Sequence, residues 1–129
     1  MKTFTFQYDP HPLKSAFASI ERSMKTGHVD IQKDSITCKS TEDMMTLMTK
    51  SRMKVFSATL EKSPESLTEL ADSIEKDLGN TLKDAKVLES IGLIELKRLP
   101  GKQGEKLKPI ALYQRIVFEC EPRKVKKVG

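Results

Sequence analysis

The side chains in this chain whose types and spacing suit chemistry are hydrogen-bond donors and cations rather than nucleophiles or metal ligands. Asn80, Thr81, Lys83 and Lys86 fall within one helix-length segment. An asparagine amide can pair bidentately with adenine, and a lysine can reach guanine or a phosphate. With Leu82, Ala85 and Leu88 turned inward on a 100° wheel, the opposite face carries Gly79, Asn80, Lys83, Lys86, Val87 and Ser90. Gly79 lets the start of that face approach a backbone closely. A second set follows at once. Arg98, Lys102, Lys106 and Lys108, with Lys97 beside them, stand in a stretch punctuated by Gly and Pro, where ammonium and guanidinium groups can meet phosphate oxygens. A polar helix face is most often only solvated, and a lysine run most often only solubilises. The two in succession carry the functional reading.

Other chemistries have little to work with. His11 and His28 lie outside any metal-ligand spacing, and Cys38 and Cys120 are far apart, as expected of two reduced cysteines in or near strands. The chain has no P-loop, no Gly-rich phosphate cradle and no nucleophile elbow. The acid pairs Glu42/Asp43 and Glu65/Glu69 are accounted for by helix starts. The expectation is a protein that is not an enzyme and uses no cofactor or metal.

The elements that must position the donors can be read from the stretch Ser66–Cys120. Leu67, Leu70, Ala71 and Ile74 recur at i, i+3, i+4 and i+7, and Ser66 with Glu69 forms an S-x-x-E capping box. Glu75-Lys76-Asp77 is a break, with Asp77 as cap of the next helix. The inner face of that helix is predicted as Leu78, Leu82, Ala85, Leu88, the stem of Glu89, and Ile91, with Gly92 as a left-handed stop. Two strands are expected next, Glu95–Leu99 and Ile110–Phe118, around a loop from Pro100 to Pro109. Two helices around a tight turn and then a ribbon with a basic tip is the order of a winged helix-turn-helix. In that arrangement the second helix enters the major groove and the ribbon lies on the backbone.

The segment SLTELADSIEKDLGNTLKDAKVLESIGLIEL resembles the helix-turn-helix of MarR-like winged-helix transcriptional regulators. It resembles in particular small prokaryotic DNA-binding regulators, some of which sit beside toxin genes as antitoxin-like repressors. Their pattern falls here on Leu67, Glu69, Leu70 and Ala71, then on Leu88, Glu89, Gly92, Leu93, Ile94 and Glu95. It covers Ser66 to about Phe118, and Ser40 to Lys62 more loosely. The chain departs from it at Leu82-Lys83-Asp84, where members often carry Arg and His. The resemblance implies a DNA-binding transcriptional regulator that represses its own operon, antitoxin-like, and a toxin protein as a further partner.

Bulk properties agree with a polyanionic partner. At 129 residues the chain has the length of one domain, and its net charge is +5. The charge is uneven: residues 97–129 hold 10 Lys and Arg against 3 Asp and Glu, so the excess is concentrated in the ribbon and tail. Few aromatics and no Trp argue against base-stacking on single strands, which favours duplex DNA. No segment reads as a membrane span or secretory signal, so no membrane partner and a cytoplasmic location are expected.

The remaining segments complete the expectation. Phe4, Phe6 and Tyr8 alternate as a short strand, Leu13, Phe17, Ile20 and Met24 mark a helix, and Ile36 and Cys38 belong to a strand or small hairpin. The span Thr41–Lys62 reads as one helix or two bending near Thr49-Lys50-Ser51, with the Met44–Met48 part as dimer surface or core. The fold class is α+β: residues 1–40 an N-terminal strand and helix extension acting in dimerisation, 41–120 a winged helix-turn-helix domain, 121–129 a mobile basic tail. The function expected is that of a homodimeric, sequence-specific repressor on double-stranded DNA. In it Asn80, Thr81, Lys83 and Lys86 meet the major groove while Arg98, Lys102, Lys106 and Lys108 clamp phosphate. The alternative is a protein-interaction module that binds a partner such as a toxin.

Overall fold

Phe4 and Phe6 stand on the middle strand of the larger sheet. The computed structural model describes residues 1–15, 17–18, 21, 34–101 and 104–122, and has an α+β architecture. Strand β1 (Thr3–Tyr8) runs between β2 (Ser35–Cys38) and β5 (Arg115–Phe118), parallel to both. Phe6 pairs with Ile36 on one side and with Phe118 on the other. Because side chains alternate along a strand, Phe4, Phe6, Tyr8, Ile36, Cys38, Ile116 and Phe118 share one face, and that face enters the core. Phe6 is 0 % exposed and stacks on Phe118 with ring centroids 4.8 Å apart. Phe4 meets Tyr113 edge-on at 5.2 Å, and the Tyr113 hydroxyl donates to Asp34 Oδ1 at 2.6 Å.

This pairing ties the leading segment to the end of the ribbon region. The alternation of Phe4 and Phe6 makes β1 the centre of a sheet closed by β5, so the leading segment shares one core with the rest. The helix expected from Leu13 is present at residues 12–15, 17–18 and 21, with the rest of its span outside the described residues. Of its predicted apolar stripe, Leu13 is 75 % and Phe17 65 % exposed, and Ile20 and Met24 lie outside the described residues. His28 and residues 123–129 of the expected tail also lie outside the described residues.

The span from Thr41 to Lys62 is two helices. Ser40 Oγ accepts from the Asp43 N–H to start α1 (Thr41–Leu47), and Thr49 accepts from the Arg52 N–H to start α2 (Lys50–Lys62). Arg52 Nη1 donates to the carbonyls of Thr46 and Leu47 at 2.9 and 3.0 Å, filling acceptors that a helix end leaves open. Met44 and Met48 are buried core. Left-handed Ser63 and the buried Pro64 end α2. Ser66 caps α3 (Leu67–Ser73) by accepting from the Glu69 N–H at 3.1 Å. The return bond of the capping box differs from expectation, because Glu69 takes the Glu65 N–H at 3.4 Å. Left-handed Glu75 turns the chain, and Asp77 Oδ2 accepts from the Asn80 N–H at 3.0 Å to start α4 (Leu78–Ile91).

The ribbon also differs from its expected shape. Strands β3 (Ile94–Gly101) and β4 (Gly104–Ala111) pair antiparallel along their whole length, from Ile94 with Ala111 to Gly101 with Gly104. The expected loop from Pro100 to Pro109 is therefore mostly strand. A two-stranded ribbon leaves every strand with a free edge, and a proline whose nitrogen faces that edge removes no ladder bond. The expected single strand Ile110–Phe118 divides at Leu112–Gln114, and its second half leaves the ribbon to join β1.

Candidate functional site

Helix α4 is rolled by part of a turn from the predicted wheel. Its buried stripe is Thr81, Ala85 and Leu88, each 0 % exposed, with Leu82 and Ile91 half-buried beside it. Thr81 is therefore withdrawn from the groove-facing set. Its hydroxyl donates to the Asp77 carbonyl at 2.8 Å, so a β-branched side chain enters the core with its one polar group already satisfied. Leu78, predicted inward, is 47 % exposed at the first turn. The outward face carries Gly79, Asn80, Lys83, Lys86 and Ser90, all exposed. Lys83 and Lys86 make no ion pair among the described residues.

Both acids of α4 are tied to the body of the protein. Asp84 accepts from Ser51 Oγ at 2.6 Å, bonds Lys76 Nζ, and lies 3.5 Å from Arg52 Nε. Burial by itself would raise its pKa. The bonds from Lys76 and Ser51 and the charges of Lys76 and Arg52 outweigh that and hold the carboxyl below its ordinary range. Glu89 Oε2 accepts from the Leu96 N–H at 2.9 Å, joining the last turn of α4 to β3. The cationic face thus keeps no opposing carboxylate of its own helix.

The corner between α4 and the ribbon is a Schellman stop. Gly92 has φ 101°, its N–H bonds the Glu89 carbonyl at 3.0 Å, and the Leu93 N–H bonds the Leu88 carbonyl at 3.0 Å. Leu88 and Leu93 are both fully buried, the apolar pair that often accompanies this motif. The corner sets the direction in which β3 departs from α4.

The ribbon separates the predicted phosphate contacts. By cross-strand register, Lys97 and Lys108 lie opposite each other, and Lys106 lies opposite Leu99 on the same face. Arg98 lies opposite Leu107 on the other face, and its Nη1 is 3.7 Å from Glu105 Oε2. The expected clamp of Arg98 with Lys106 and Lys108 is thereby corrected, since alternation sends Arg98 to the far side. Lys108 Nζ lies 3.6 Å from Glu65 Oε2, so part of its charge is already met. Lys97, left out of the predicted set, is exposed on the lysine face, and the period of two was the signal for it. Lys102 lies outside the described residues.

Among the described residues no three His, Cys, Asp or Glu side chains converge as a metal site, and no helix is long and apolar enough to cross a membrane. Cys38 is buried and Cys120 exposed, both free. A family model described as HVO_A0114 matches residues 47–118, more than half of the chain, from the end of α1 through the last residue of β5. No curated protein and no solved structure matches the chain.

Proposed function

We propose that this chain, which belongs to the HVO_A0114 family, is a cytoplasmic, homodimeric transcriptional repressor that reads double-stranded DNA with a MarR-like winged helix-turn-helix. The observation that carries this reading is the outward face of α4. Asn80, Lys83 and Lys86 are exposed there, while Asp84 and Glu89 of the same helix are engaged elsewhere. In this reading α3 and α4 are the helix-turn-helix, α4 lies in the major groove, and the β3–β4 ribbon is the wing. Asn80 suits adenine, Lys83 and Lys86 suit guanine or phosphate, and the exposed Leu78 suits a thymine methyl. Lys97 and Lys106 supply phosphate contacts from the ribbon. Repression of its own operon, antitoxin-like, follows from the resemblance. An electrophoretic shift with the DNA upstream of its own gene tests the reading. Equal binding by wild type and a Lys83→Ala/Lys86→Ala variant would remove the recognition role.

The exposed Leu13 and Phe17 favour a second reading, a module that binds a partner protein such as a toxin. Salt separates the two. DNA binding weakens steeply as salt rises because each neutralised phosphate releases counterion, whereas an apolar contact responds little.

A further inference from the structure

Among the described residues β5 is an edge strand, four residues long, paired on one side alone. It reads Arg-Ile-Val-Phe, without lysine or proline, and Glu119 follows. Natural sheets blunt such edges with short strands, charges or proline; an edge whose charges a partner strand can meet still recruits that strand. The ladder fixes which groups are free. The Arg115 N–H bonds the Lys2 carbonyl and the Glu119 N–H bonds the Phe6 carbonyl, so residues 115, 117 and 119 turn their backbone groups toward β1. Ile116 and Phe118 turn theirs outward.

We propose that a second copy of this chain pairs antiparallel with β5 about a two-fold axis at Val117, making one continuous sheet of six strands. The outward groups of Ile116 then meet those of Phe118 in the second copy, and the reverse. A register centred on Ile116 sets Phe118 opposite Gln114, whose N–H already bonds the Lys2 carbonyl, and one centred on Phe118 sets Glu119 opposite Val117. The register centred on Val117 sets Arg115 opposite Glu119 twice. Backbone polarity and charge therefore select the same register. Arg115 is exposed and makes no ion pair among the described residues. Glu119 Oε1 accepts from the Tyr8 N–H at 3.0 Å, and its second oxygen, which makes no bond among the described residues, is the one Arg115 of the second copy would meet. On the outer face the Val117 pair lies between the two ion pairs. On the inner face Ile116 and Phe118 extend the apolar layer that Phe6 begins. The pairing rests on β5 alone and does not depend on the proposed DNA binding; it specifies the dimer that reading invokes.

Sedimentation of the full chain from micromolar to millimolar concentration tests it, because so short a seam is at the small end of interfaces and its dimer depends on concentration. Wild type should dimerise. Arg115→Glu, which sets like charges in opposition, should associate on the order of tenfold more weakly or worse. Arg115→Glu with Glu119→Arg should restore the dimer. In a Cys120→Ser background, Val117→Cys should form an intermolecular disulfide, because directly opposed residues in a non-hydrogen-bonded pair approach to about 4.5 Å between Cα atoms. Thr5→Cys, one strand inward on the same face, should not. A chain monomeric throughout, or a dimer that Arg115→Glu leaves intact and Val117→Cys does not cross-link, overturns the proposal. If Arg115→Glu does not fold, the cysteine pair decides. A dimer that ignores DNA refutes only the DNA reading, and a monomer that shifts DNA refutes only this one.

Discussion

Ser51 donates its hydroxyl proton to Asp84 at 2.6 Å, joining the first turn of α2 to the middle of α4. Lys76 and Arg52 converge on the same carboxylate from the inter-helix turn and from α2. Asp84 therefore belongs to the scaffold behind the cationic face, which accounts for an acid in the middle of that helix.

Removing this carboxylate leaves two cations facing each other. Asp84→Ala is expected to lower stability by about 1–3 kcal/mol, and Asp84→Asn by less because the amide oxygen still accepts from Ser51. The folded pKa is held below the unfolded value of about 3.9. The stabilisation is therefore complete above that value and is lost as pH falls through the folded pKa. Urea unfolding at neutral pH and near pH 3 checks both points: the gap between wild type and Asp84→Ala should narrow in acid.

Phe6 tests whether the leading segment belongs to the core. Phe6→Ala is expected to cost about 3–5 kcal/mol, the range for a fully buried aromatic. Leu13→Ala, on the exposed helix, should stay within about 0.5 kcal/mol. Thermal melts of the two variants should separate plainly, and equal melting temperatures would contradict the central place of β1.

Gly92 isolates a backbone effect. A Cβ built there meets no atom within 4 Å, so the cost of Gly92→Ala is that of the left-handed conformation alone, about 1–2 kcal/mol. Gly92→Asn should cost less, since asparagine tolerates that region better. The urea midpoint should shift without a change in slope.

The proposed DNA contacts differ in how free their charge is. The plot of log affinity against log salt should flatten by about 2 for Lys83→Ala/Lys86→Ala, roughly 1 for each phosphate left without its lysine. Lys106→Ala should weaken binding more than Lys108→Ala, because Glu65 already lies 3.6 Å from Lys108. Arg98→Ala should do least, since Glu105 opposes Arg98 on the far face. Titrations at several salt concentrations measure all four variants.

What could be read from sequence was what depends on near neighbours. Ser66 and Asp77 cap their helices where the pattern put them, and Gly92 stops α4 through bonds reaching no further back than Leu88. What could not be read depends on distant partners. Whether Thr81 faces the core or the groove depends on how α4 is rolled against α2 and α3, which its polarity does not reveal. The division of Ile110–Phe118 is invisible locally, since only β1, at the other end of the chain, draws β5 out of the ribbon. The lysines of the candidate site were visible as a cluster, but their faces required the register of β3 against β4.

The seam between β1 and β5 bears on how the protein is made. Lys2 and Gln114, 112 positions apart, are bonded to each other at one end of that seam. During synthesis β1 can pair with β2 early, but its other edge stays open until residues 115–118 have left the ribosome. The helices and the ribbon close over short distances and can form while it waits. Closure of this side of the core is thus the slow and late event, and the nascent chain is most prone to aggregate just before β5 emerges.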